Sequence, residues 1–77
     1  MSSCALAYHQ SGESYAVEID ESGRVLTAIG PLRASIRHDR QLARQVAPIG
    51  SADRARWLAL ELAVGKATIS QREPSDV

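Results

Sequence analysis

The sequence predicts an α+β fold in which a three-stranded antiparallel β-meander is followed by two α-helices, a βββαα order with the last helix packed on the sheet. Three observations predict it. Apolar and polar residues alternate from residue 4 to residue 29 around two glycine-containing turns, the period-2 pattern of half-buried strands. Gly30 and Pro31 end that alternation, and the stretch after them is rich in helix formers as far as Pro48. From Ala52 onward, "ADRARWLALELAVGKATI" places apolar side chains around most of a helix circumference.

The first two strands, "CALAYHQ" and "SYAVEID", flank Ser11 and Gly12, read as a two-residue turn with glycine supplying positive φ. Glu21, Ser22 and Gly23 suit a three-residue loop before the third strand. In these registers Tyr8 faces Tyr15, Leu6 faces Val17 and Cys4 faces Ile19. Across the second turn Ile19 faces Val25, Val17 faces Thr27 and Tyr15 faces Ile29. One face then holds Cys4, Leu6, Tyr8, Tyr15, Val17, Ile19, Val25, Thr27 and Ile29, eight of the nine apolar or aromatic, so this face is expected to be the single buried one. His9, Glu18, Asp20 and Arg24 fall on the reverse, wetter face.

Residues 32 to 46 form the first predicted helix. Leu32, Ile36, Leu42, Ala43 and Val46 fall within about 120° of one another on a helical wheel, although Asp39 sits inside that arc. The alternation of Leu32, Ala34 and Ile36 with Arg33, Ser35 and Arg37 keeps an extended reading of 32 to 38 open. Ser51 caps the second helix, Asp53 lies in its first turn, and the helix is expected to run from about 52 to 69. Gly65 inside it weakens it by roughly 1 kcal/mol relative to alanine. Residues 70–77, "SQREPSDV", have little to bury and read as a flexible tail, leaving 1–69 as one small domain.

That last helix needs covering on two flanks. Alanines at 55, 59, 63 and 67 make a ridge, with Leu58, Leu62 and Ile69 to one side and Trp57, Leu60 and Val64 to the other. One flank covers the meander. The other requires either the helix at 32–46 or a copy of the same helix from a second chain, because each Trp or Leu left in water forgoes about 2 kcal/mol of burial. Trp57, Leu60, Val64, Ala59 and Ala63 are therefore the candidate interface residues. A chain of 77 residues points the same way, since a domain of this size buries only about 60% of its unfolded surface and gains from a second chain. Cys4, the only cysteine, offers no internal disulfide and fits a reducing cytoplasm.

Nine basic and nine acidic residues cancel, which removes any global electrostatic pull toward nucleic acid or membrane. The charges are nevertheless segregated. Residues 1 to 32 carry a balance of −3, and residues 33 to 44 one of +3. On a helical reading Arg33, Arg37, Arg40 and Arg44 fall within about 60° on the wheel, a stripe able to track phosphates or an acidic protein surface. No aromatic side chain interleaves them, so a base-stacking platform is not indicated.

Chemistry is hard to find. His9, His38 and Cys4 lack the spacing of a metal site, and Cys4 and His9 lie on opposite strand faces. "GKAT" lacks the upstream glycine of a phosphate-binding loop. Glu18 and Asp20 share a face but read as solvated partners of Arg24. The opening "MSSCALAYHQ" shows neither a basic leader nor a long apolar run, so neither a signal peptide nor a spanning helix is expected. No cofactor and no small-molecule substrate are evident. The expectation is a non-enzymatic, cytoplasmic protein-binding or regulatory domain of a bacterium or phage, acting as a homodimer or on a protein partner. The alternative is a nucleic-acid binder using the arginine stripe.

Overall fold

The computed structural model describes residues 2–70. The chain runs through β1 (Ser3–His9), β2 (Ser14–Ile19), β3 (Val25–Ile29), α1 (Arg40–Val46), a single 3₁₀ turn (Ala47–Ile49), α2 (Ala52–Ala63) and β4 (Ala67–Ser70). The fold is α+β, with the expected three leading strands and two helices, but a fourth strand follows the helices. All neighbouring strands are antiparallel, in the order β3-β2-β1-β4.

The first hairpin differs from the expected register by one residue. His9 N–H donates to Glu13 O at 2.8 Å, so Gln10, Ser11 and Gly12 form a three-residue loop rather than a two-residue turn. Ala7 therefore pairs with Tyr15, Ala5 with Val17 and Ser3 with Ile19. Side chains alternate along a strand, so this single step turns Cys4, Leu6 and Tyr8 away from Tyr15, Val17 and Ile19. The second hairpin keeps Glu21, Ser22 and Gly23 as its loop, closed by Asp20 N–H to Arg24 O at 3.0 Å. Ile19 pairs with Val25 as expected, but a bulge follows. Glu18 pairs with Thr27 and Val17 with Ala28, which leaves Leu26 as the extra residue of β3.

These shifts give the sheet two apolar faces instead of one, and each is covered. On one side Ala5, Ala7, Tyr15, Val17, Ile19 and Ala28 meet Ala55 and Leu58 of α2. On the other, Leu6 and Ala16 meet Ala43 of α1 and Ala47 of the 3₁₀ turn, with Cys4, Tyr8, Ile29, Leu32 and Val46 packed around them. The sheet is the middle layer of three. Hence α1 does not supply the second cover for α2, because the sheet lies between them.

The first helix is half its expected length. Asp39, which interrupted the apolar arc, is its N-cap, accepting from Leu42 N–H at 3.1 Å. Residues 34–38 are turns, neither helix nor strand. Asp39 adopts extended backbone at φ −89° and ψ 100°, so a helix running through it is excluded.

The second helix starts where expected, with Ser51 Oγ accepting from Arg54 N–H at 3.0 Å. It ends at Ala63 rather than near residue 69. Gly65, at φ +81°, reverses the chain. Its N–H donates to Leu62 O at 3.2 Å and that of Lys66 to Glu61 O at 2.8 Å, the paired bonds that satisfy the last carbonyls of a helix. The chain then turns back along β1, where Ala67 pairs with His9 and Ile69 with Ala7. Ser70 belongs to β4, and the rest of the expected tail lies outside the described residues.

At the other end of α2, Gly50 lets the chain approach β3. A Cβ there would stand 2.6 Å from the carbonyl carbon of Ala28. Ser51 and Ala28 consequently exchange backbone hydrogen bonds of 3.0 and 3.2 Å.

Candidate interaction surface

α2 carries polar side chains on one of its inner flanks and apolar ones on its outer face. Arg54, Trp57 and Glu61, spaced three and four residues apart, share the flank that overlies the His9 and Tyr15 end of the sheet. The Arg54 guanidinium lies 5.3 Å from the Trp57 ring centre and 5.6 Å from that of Tyr15. Trp57 stacks on His9 at 5.4 Å and meets Tyr15 edge-on at 5.5 Å. Glu61 Oε1 stands 2.7 Å from His9 Nε2. Tyr15 donates its hydroxyl to Glu13 at 3.0 Å. Burial raises the Tyr15 phenol above its ordinary range, and the bond to Glu13 adds to the shift.

Ser11, His9 and Glu61 form a hydrogen-bonded row, with Ser11 Oγ 2.9 Å from His9 Nδ1. The same nitrogen receives the Ser11 N–H at 3.1 Å, so in the neutral ring the proton sits on Nε2 and is donated to Glu61. Around Ser11 the backbone donors are all engaged. Gln10 N–H binds Lys66 O, Gly12 N–H binds His9 O, and Glu13 N–H binds Ser11 Oγ. An acyl-transfer site needs N–H groups aimed at a developing oxyanion, and this loop has none to spare. The row fixes the first hairpin to α2.

The outward side of α2 is the reverse of this. Leu60 is 67% and Val64 64% exposed, with Ala59 and Ala63 exposed beside them. Asp53 and Arg56 are the charged residues of this face and pair with each other. Beside it, β3 and α2 enclose a cleft of about 420 Å³. Val25 and Leu26 form one wall, Ala55, Ala59 and Leu60 the other, and Arg24 and Arg56 stand at the rim. Two features of the sequence make this cleft. Alanine at 55 and 59 leaves the helix side shallow, and the bulge at Leu26 turns two consecutive residues of β3 toward α2.

Of the five candidate interface residues, Leu60, Val64, Ala59 and Ala63 thus lie together on the outer face. Trp57 does not, since it packs against the core and the aromatic group. The four arginines are not brought onto one helical stripe. Arg40 and Arg44 lie on α1, while Arg33 and Arg37 precede it. Arg37 donates to Gly12 O at 3.1 Å and Arg40 to Ser70 Oγ at 3.1 Å. Arg44 stands near Cys4, whose thiol is raised by burial and by Glu18 against the pull of Arg44.

Among the described residues no group of three or more His, Cys, Asp or Glu side chains is placed to hold a metal ion, and no helix is long and apolar enough to cross a membrane. The cleft was not foreseen from the sequence. Its only signal was the alanine spacing, read as a close-packing ridge. Comparison of the chain with protein-family models, with curated proteins and with solved structures gives no match in any of the three.

Proposed function

We propose that this chain is a protein-binding domain that acts without chemistry of its own and makes its contact through the outward face of α2. One observation carries the reading: α2 folds Arg54, Trp57 and Glu61 against the sheet end while leaving Leu60 and Val64 in water. Each of those two side chains forgoes about 1–2 kcal/mol of burial that a partner surface would return. Contiguous apolar residues ringed by polar ones are the usual centre of a protein contact. The partner is a second copy or another chain, as fits a regulator or adaptor. The arginines no longer share a stripe, so nothing in their placement favours nucleic acid over this reading.

The test is photocrosslinking in cells that express the chain. A benzophenone amino acid at position 64 should give a discrete protein adduct that disappears when Leu60→Glu is added. The same probe at Gln45, exposed on α1 across the sheet, should give none. Adducts at both positions, or at neither, would refute the assignment.

A further inference from the structure

We infer that the cleft between β3 and α2 receives a segment of a different protein that presents a bulky apolar side chain beside carboxylates. This rests on the proposed contact face and names what that face recognises. The cleft, at about 420 Å³, falls in the roughly 300–1,000 Å³ range of sites that enclose a ligand group. Its walls are apolar, from Val25 and Leu26 on one side to Ala55 and Ala59 on the other, and it opens onto Leu60. An aliphatic or aromatic side chain entering it would be desolvated on several sides.

The rim decides the sign of the partner. Its charged residues, Arg24 and Arg56, are both cationic, and among the described residues no acidic one lines the cleft. Arg56 is paired to Asp53 on the outer face, with side chains 73% and 86% exposed. An exposed i,i+3 pair contributes little and exchanges readily for a carboxylate held at the rim. A two-fold copy of this chain is a poor match. It would bring the Arg24 and Arg56 rims of both protomers to one interface, cation against cation. An acidic apolar segment satisfies walls and rim together.

The test uses the ¹⁵N-labelled full chain and two probes, acetyl-Asp-Leu-Glu-Leu-Asp-amide and acetyl-Lys-Leu-Lys-Leu-Lys-amide. The acidic peptide should move the amide signals of Val25, Leu26, Ala55, Ala59 and Leu60, and the lysine peptide should bind about tenfold more weakly. Arg24→Glu combined with Arg56→Glu, both at exposed positions, should reverse that order. Equal binding of the two peptides at these residues would overturn the acidic partner while leaving the contact face standing. Signals that move on dilution of the protein alone would do the same, with a second copy as the occupant. No movement under any of these conditions would overturn the contact face as well.

Discussion

His9 Nε2 and Glu61 Oε1 lie 2.7 Å apart, tying the end of β1 to the third turn of α2 beneath the Trp57 ring. The two side chains are 11% and 20% exposed, so little water is at hand to replace the bond. His9→Ala should lower the unfolding free energy by about 1–3 kcal/mol, because a mostly buried carboxylate loses its donor. Glu61→Gln should cost less, since the amide oxygen still accepts the Nε2 proton. Urea titrations of the two variants compare them directly.

Leu58 and Leu60 sit two residues apart on α2 with opposite fates, 0% and 67% exposed. Leu58→Ala should destabilise the fold by about 2–5 kcal/mol. Leu60→Ala should change stability by no more than about 0.5 kcal/mol, so that any effect it has on association is read without a folding defect.

Gly65→Ala should cost about 1 kcal/mol or more, because the reversal after α2 holds φ at +81°. The loss should appear in thermal melts and, by hydrogen exchange, as faster opening of β4.

Asp20 accepts the hydroxyl of Ser22 and the N–H groups of Ser22 and Arg24, all on Oδ1. The Ser22 side-chain bond first, and then the Arg24 N–H, lower its carboxyl below the ordinary range. A lowered acid stabilises the fold above the unfolded-state value and loses that contribution as pH falls through its own. Asp20→Asn should therefore reduce stability at neutral pH and flatten the decline in strong acid, measured as midpoint shifts across a pH series.

Cys4, on β1, borders the gap to α1 together with Arg40, Ala43 and Arg44. Burial raises its thiol above the ordinary range, with Glu18 adding and Arg44 opposing. The pH midpoint of its alkylation by iodoacetamide should lie above that of the same thiol in urea, and Glu18→Gln should bring the two closer.

The leading strands, the start of the second helix, its cap Ser51 and the first-turn Asp53 were legible because each depends on local chemistry. The faces of the sheet were not. "QSG" and "ESG" turn out to be the same loop, three residues ending in glycine at φ +95° and +90°. Reading the first as a two-residue turn shifted β1 by one position and exchanged its two sides. A shared Ser-Gly ending was the available clue. Gly65 was read as a flaw inside a helix, yet with Thr68 and Ile69 just beyond, it marks a stop followed by a β-prone segment. Asp39 looked misplaced within a helix because the helix begins after it. The cleft was invisible for a different reason: it depends on the spacing between two packed elements, which no periodicity encodes.

The bulge at Leu26 and the Ser51 bridge to Ala28 occupy the outer margin of β3. A stray strand finds no straight row of open donors and acceptors there, so edge-to-edge stacking into fibres is blocked along that side. The molecule can display a greasy helix face next to a sheet margin without that margin seeding aggregation.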